Sequence, residues 1–317
     1  MVQFLNHKDI CDYVCIIGGA NIDIIGKSYN SLVAATSNPG EVQLSLGGVG
    51  RNVAHNLCNL GVHSHLITAM GKDLYGAKLL TECKEIGIGI DHSLILEGSN
   101  TGLYLAVLDD RGEMVTAIAQ MDIFDKIDRG FLKSNKHFLQ EARVIVVDTN
   151  ISKDAIAYVT EFAKEQNISL FLDTVSAVKA EKVKDYIGLF HTIKPNLLEL
   201  ELLTDKKISS EEDIKVAAEM LLKKGVKEVV VSLGRDGAFY HDGSYYGRVK
   251  GFDVEVKNTT GAGDAFVAGL VYGTLQEKSL KEKVILALGC GALTVGTYET
   301  VNHKLSIDGL LELVASY

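Results

Sequence analysis

Proline is nearly absent from this 317-residue chain: only Pro39 and Pro195 interrupt it. That scarcity excludes a Pro-rich linker or a disordered polymer. No stretch reaches the roughly 18 uninterrupted apolar residues that a membrane helix needs. The chain opens with polar and charged residues through Asp12, not with an apolar leader, so a cytoplasmic protein with no membrane partner is expected. Charge blocks are also missing. The net charge of -9 is spread along the sequence, which argues against a nucleic acid polymer or an anionic bilayer as partner. The five cysteines, Cys11, Cys15, Cys58, Cys83 and Cys290, lack paired zinc-ligand spacing and read as buried free thiols of an intracellular chain. Three catalytic signatures are absent as well: the G-x-x-x-x-G-K-[ST] phosphate loop, the G-x-S-x-G elbow and H-E-x-x-H. His55, His63 and His65 therefore read as surface or packing residues.

What is present suits a large core. Hydrophobic residues make up 47% of the chain, and there are 31 glycines. Short apolar runs at Tyr13 to Gly18, His65 to Met70, Arg143 to Asp148, Ile168 to Asp173 and Glu228 to Leu233 read mostly as strands buried on both faces. Helical patterns lie between them: Arg51 to Leu60, Leu74 to Ile86, Lys153 to Glu165, Glu211 to Lys224 and Ala262 to Tyr272. The alternation predicts an α/β fold with a mainly parallel sheet covered on both sides. Two stretches break the rhythm, near Ile24 to Leu46 and from Thr101 to Ala119. The second reads as a hairpin turning at Asp109-Asp110-Arg111-Gly112. Together they predict a small β flap, able to close over a substrate; an ordinary peripheral sheet fits the pattern equally. No internal repeat or low-complexity segment divides the chain.

Five constellations can carry chemistry. Asn258-Thr259-Thr260-Gly261-Ala262-Gly263-Asp264 opens an apolar helix. Bare amides at such a terminus bind anions, and Gly261 and Gly263 let a phosphate approach without a Cβ in the way. Asp264 in the first turn can accept a proton from an attacking hydroxyl; simple helix capping by Asp264 or Thr260 is the competing explanation. Gly47-Gly48-Val49-Gly50-Arg51-Asn52 precedes a second helix that Gly61 closes, and Asn52 can reach a ligand hydroxyl. Asn21 and Asp23 fall on one side of a strand by alternation, a pairing suited to gripping a vicinal diol. Asn196 and Glu199 share one helical face, either as oxygen ligands linked to magnesium or as a capping box. Ser232, Gly234 and Gly237 turn tightly after a strand, as a nucleotide edge or as a plain glycine turn.

Taken together, these residues resemble the ribokinase-like (PfkB) family of carbohydrate and nucleoside kinases over most of the chain. Gly47 to Asn52 with Gly61 and Gly71 is similar to the family's first signature, and Thr260-Gly261-Ala262-Gly263-Asp264 to its second. The resemblance implies a three-layer core with a small β lid, built from residues 1–317 as one kinase domain with lid segments near 24–46 and 101–122. It implies ATP and Mg2+ as cofactors and a small-molecule nucleoside or sugar as substrate. By it, Asp264 is the catalytic base and Gly261, Ala262 and Gly263 form the anion hole. Asn21, Asp23, Gly47, Gly48 and Asn52 form the sugar site; Asn196 and Glu199 are linked to magnesium; Asn196, Ser232, Gly234 and Gly237 border ATP. Gly48 to Asn52, Gln120-Met121-Asp122-Ile123 and Asp173-Thr174-Val175-Ser176-Ala177 with Lys179 are similar to a branch acting on the 5′ hydroxyl of a C-nucleoside. There Met121 packs on the base and Asp122 accepts its ring N–H groups, or both simply pack the lid. Val49 stands where ribokinases proper usually carry Lys, and Asn258 where they carry Asp, which speaks against ribose and against a potassium site. Inosine, adenosine, ribose or fructose 1-phosphate as acceptor, and a non-catalytic sensor, remain the alternatives; a homodimer is left open.

Overall fold

The computed structural model describes residues 13–315 and 317, so Cys11 and the polar opening through Asp12 lie outside the described residues. The strands are β1 Val14–Ile17, β2 Asn21–Ser28, β3 Gly40–Gly47, β4 Ser64–Ile67, β5 Ala69–Gly71, β6 Leu94–Leu96, β7 Leu103–Leu108, β8 Met114–Gln120, β9 Val144–Asp148, β10 Ser169–Asp173, β11 Thr192–Ile193, β12 Glu228–Ser232, β13 Ala238–His241 and β14 Tyr246–Val249. The helices are α1 Val49–Asn59, α2 Leu74–Ile86, α3 Arg129–Ser134, α4 Lys136–Glu141, α5 Lys153–Gln166, α6 Ala177–Ala180, α7 Leu197–Thr204, α8 Glu211–Lys224, α9 Ala262–Leu275, α10 Leu280–Val295 and α11 Ile307–Ala315.

Eight strands form the main sheet in the order β14-β13-β12-β11-β10-β9-β1-β4. From β12 to β4 every pairing is parallel, and β13 and β14 add an antiparallel edge. Because strand side chains alternate, each central strand feeds two cores. Val14, Ile16, Val144, Val146, Phe171 and Val230 pack with Val53 and Leu57 of α1, Val267 and Leu270 of α9 and Val284 of α10. Cys15, Ile17, Ile145, Val147, Leu172 and Val231 point the other way, onto Ile156 and Val159 of α5, Leu200 of α7 and Leu221 of α8. Three layers follow, and each such buried side chain contributes roughly 1.5–3 kcal/mol.

Helix ends fall where the sequence signals them. Ser152, Ser210 and Ser279 accept N–H bonds at the starts of α5, α8 and α10, and left-handed Gly87 ends α2. One expected strand is corrected. The run from His65 to Met70 divides at Thr68, whose N–H donates to Ser93 Oγ and whose carbonyl accepts from Leu94 N–H. Those bonds draw the chain out of the main sheet, so β5 pairs with β6 instead.

The second sheet, β3-β2-β7-β8, is the small lid. It begins at Asn21, ahead of the expected boundary, and its hairpin turn lies between Leu108 and Met114. Ile22, Leu46 and Ala106 are buried, whereas Val42, Met114, Val115 and Ile118 are exposed. Among the described residues no helix is long and apolar enough to cross a membrane. Cys15, Cys83 and Cys290 are buried free thiols, and Cys58 is a half-buried one.

Candidate active site

The chemically suggestive residues gather beyond the carboxyl ends of the parallel strands, where open α/β sheets leave room for ligands. Asn21 and Asp23 share a face of β2, and Asn21 Nδ2 donates to Asp23 Oδ1 at 2.6 Å. Burial pushes the Asp23 carboxyl up, while the Asn21 bond and the Arg51 charge oppose it. Gly47 pairs with Asn21 across the lid ladder. A Cβ there would lie 2.4 Å from Asp23 Oδ2, so this carboxylate occupies the space a side chain would take.

Gly48 starts α1 at φ 95°, and a Cβ on it would meet Gly19 O at 2.4 Å. Asp148, at the end of β9, holds this junction closed: its Oδ2 accepts from the N–H of Gly19 at 2.8 Å and of Gly50 at 2.9 Å. Arg51 is buried and donates to the carbonyls of Gly47 and Leu46. His55 Nδ1 stands 3.2 Å from Arg51 Nη1 and can accept from it. Burial, with Arg51 and His303 adding to it, pushes His55 down to about 3, so the imidazole is neutral. His55 is a packing residue, as expected.

Left-handed Gly261 (φ 80°) is the N-cap of α9, with no side-chain cap. Neither Thr260 nor Asp264 caps the helix, and the first-turn amides lack a side-chain partner of that kind. Gly263 is exposed there, whereas a Cβ on Gly261 would come within 1.8 Å of Thr300 O. Asp264 is buried, and its Oδ2 accepts from Asn52 Nδ2 at 2.7 Å. Burial is the main reason its carboxyl is pushed up to about 7; Asp173 adds to the effect, and Asn52, Lys194 and Arg51 oppose it. A carboxylate with these properties, beside an open helix start, can take a proton near neutral pH.

Several expectations are revised by this geometry. Asn52 turns its amide N–H to Asp264, leaving its buried Oδ1 without a hydrogen-bond partner, so at most this oxygen faces a ligand hydroxyl. Asn196 and Glu199 do form the capping box: Asn196 Oδ1 accepts from Glu199 N at 3.0 Å, and Glu199 Oε2 from Asn196 N at 2.9 Å. The same Oε2 accepts from Thr174 Oγ1 at 2.6 Å. No group of three or more His, Cys, Asp or Glu among the described residues could hold a metal by itself. Magnesium commonly keeps its waters and needs one or two carboxylates plus phosphates, a demand that Glu199 can meet.

Ser232 bridges to Asn196, and its N–H donates to Pro195 O at 3.0 Å, so the two expected nucleotide-border segments are neighbours. Gly234 faces open space at φ 59°, but Gly237 is explained by packing, since a Cβ there would lie 2.0 Å from Val249 O. Met121 and Asp122 follow the lid sheet and do not sit in it: Met121 precedes the short helical turn Asp122–Lys126. Met121 packs on the core, and at Gly102 a Cβ would touch both Met121 Sδ at 3.4 Å and Asn21 Cβ at 3.2 Å. Asp122 is exposed.

Two charged residues had no chemical role in the sequence reading. Lys194, 8% exposed, sets its Nζ 3.2 Å from Asp173 Oδ2. Burial works against its charge, but Asp173, Glu199 and Asp264 together hold it above the usual lysine value. A lysine and an aspartate ending neighbouring apolar strands were the available signal. A surface cleft of about 410 Å3 lined by Arg129, Lys133, Tyr158, Glu161 and others shares no residue with the site.

Residues 12–306 match the model of the pfkB family carbohydrate kinases. The chain belongs to this family. Its members transfer a phosphoryl group to a sugar hydroxyl, and a buried carboxylate at an open helix start fits that chemistry. The chain is 42% identical to pseudouridine kinase of Escherichia coli (strain K12), with 96% of each chain covered. It is 29% identical to guanosine-inosine kinase of Exiguobacterium acetylicum, covering 94% of this chain and 99% of the relative. The fold matches that of an Arabidopsis thaliana ribokinase solved with ribose and ATP, with a TM-score of 0.87 at 21% identity and coverage of 96% and 99%. The pfkB kinase fold is thus shared with proteins acting on both free sugars and nucleosides.

Proposed function

We propose that this pfkB kinase phosphorylates pseudouridine at its 5′ hydroxyl, consuming ATP and giving pseudouridine 5′-phosphate and ADP. The observation that carries the reading is the buried Asp264 carboxyl, pushed up to about 7 and held by Asn52 beside the exposed start of α9. The choice of pseudouridine is supported by the 42% identity, spread over nearly all of both chains.

In the proposed reaction the ribose diol meets Asp23, which Asn21 orients, while Asn52 Oδ1 accepts from a substrate hydroxyl. Met121 borders the base. Asp264 accepts the proton of the 5′ hydroxyl as its oxygen bonds to the γ-phosphorus. The bond to the bridging oxygen breaks, and ADP leaves with that electron pair. Amides at Gly261, Ala262 and Gly263 meet the negative charge on the transferring group, where aligned donors act most strongly. Nucleotide would lie along Asn196, Ser232 and Gly234. Glu199, with Asn196 beside it, would hold Mg2+, which would supply neutralisation of the phosphate charge. Positioned base catalysis supplies about 10²–10⁴-fold of the rate.

The test is ATP consumption with pseudouridine, uridine, inosine, adenosine, ribose and fructose 1-phosphate. The expected result is a kcat/KM for pseudouridine at least about tenfold above each competitor, a difference of ~1.4 kcal/mol. A preference for inosine or for free ribose would sink the substrate assignment.

A further inference from the structure

We propose that Arg51 is a positioning residue for two carboxylates of this site: it clamps the end of lid strand β3, which seats Asp23, and it presents a positive charge to Asp264. The inference rests on the kinase reading above and gives a task to a residue of the Gly47–Asn52 string that the sequence reading left without one.

Arg51 stands where a cation is costly. It is 4% exposed and lies in the first turn of α1, whose amide end repels positive charge. Among the described residues no carboxylate forms an ion pair with it. A buried charge without such a partner is destabilising, so it persists where the site draws on it. The surrounding groups narrow that use. Cys83 is pushed up to about 11 by burial and is a neutral thiol, His55 is neutral and accepts from Nη1, and Glu82 is tied to Lys78. Asp264 and Asp23 are the anions left; burial pushes both carboxyls up, and Arg51 draws both down. Asp264 also faces Asn52 from α1, Asp173 from β10 and Lys194 after β11, and Asn52 and Lys194 lower it more than Arg51 does.

The clamp is geometric. Arg51 Nε donates to Gly47 O at 3.4 Å, and Nη2 donates to Leu46 O. These carbonyls end β3, and the next residue, Gly48, turns the chain into α1. A Cβ on Gly47 would stand 2.4 and 2.5 Å from the two Asp23 carboxylate oxygens, so the place of Gly47 sets the place of the carboxylate. A lysine could supply the charge but not the planar fork that spans both carbonyls.

The test follows the aspartate carboxyls by carboxyl-carbon NMR across pH, without substrate, in wild type, Arg51→Gln and Arg51→Lys. Asp23→Asn and Asp264→Asn assign the signals. Arg51→Gln keeps a hydrogen-bond donor but loses the charge, so the Asp23 and Asp264 titrations should each move up by about half a pH unit or more. Arg51→Met, a second neutral variant, should move them as far. In Arg51→Lys the charge stays, and the shift should be less than about half as large. The KM for pseudouridine should rise about tenfold in Arg51→Gln, with kcat at about pH 8.5 within about threefold of wild type. An arginine that only packed the helix would move neither titration. Wild-type titrations in the neutral variants, an equal shift in Arg51→Lys, or an unchanged KM would each overturn the proposal. If wild type phosphorylates no nucleoside while the titrations move as expected, the acceptor assignment falls and the role of Arg51 stands, because the titrations use no substrate.

Discussion

At neutral pH a carboxyl pushed up to about 7 is divided between its two protonation states, and only the ionised one can take a proton from a hydroxyl. The kcat/KM of the enzyme should therefore climb about tenfold per pH unit up to about pH 7 and then level off; a flat profile from pH 5 to 8 would contradict it. The same shift acts on stability with a definite sign. Folded Asp264 binds its proton more tightly than the unfolded chain, whose value lies near 3.8, so stability is greatest below that value and is lost as pH rises towards about 7. Asp264→Asn removes this loss, which amounts to a few kcal/mol. Its Tm should exceed that of wild type by several degrees at pH 8, with the gap closing towards pH 5, a comparison that calorimetry makes directly. Gly263→Ala separates stability from activity in another way. The added methyl meets only the flexible end of Lys194, so the fold should hold, but it crowds the anion site, and kcat should drop about tenfold or more. The glycines and Asp264 were legible as a string; the height of the Asp264 pKa was not. That value depends first on burial and then on Asp173, Asn52 and Lys194, residues far from Asp264 in sequence that converge only at the strand ends.

At the scale of elements, periodicity placed α2 and α8 at their observed bounds, because apolar faces and capping residues are written locally. It failed at His65 to Met70, where bonds from Thr68 to Ser93 and Leu94 redirect the chain, and no neighbouring residue announces them. The family resemblance set Met121 and Asp122 on the flap, although they belong to the turn that leaves it. The start of α7 joins two roles that sequence could not separate. Its capping box is present, and Glu199 also accepts from Thr174. Glu199→Gln keeps a residue that can complete the box, so Tm should change little. If Glu199 also serves magnesium, the Mg2+ concentration giving half-maximal rate should rise about tenfold. An unchanged requirement would leave the residue a helix cap only.

Over the whole molecule, the main sheet gathers the candidate residues at its strand ends, and a second sheet carries Asn21 and Asp23. The three-layer class was legible because buried parallel strands and amphipathic helices alternate along the chain. The route of the lid was not, since β2 pairs in parallel with β7 only after a long excursion through the main sheet. If the lid closes on substrate, amide exchange in β2, β3, β7 and β8 should slow when pseudouridine and a non-hydrolysable ATP analogue are bound, while β9 and β10 stay protected throughout. Unchanged exchange in the lid would argue for a static peripheral sheet. The central claim concerns Asp264, and the kinetics of Asp264→Asn with pseudouridine test it most directly. A fall in kcat of about 10²–10⁴-fold is expected, with nucleoside binding within about threefold of wild type; turnover close to wild type would show that the base lies elsewhere.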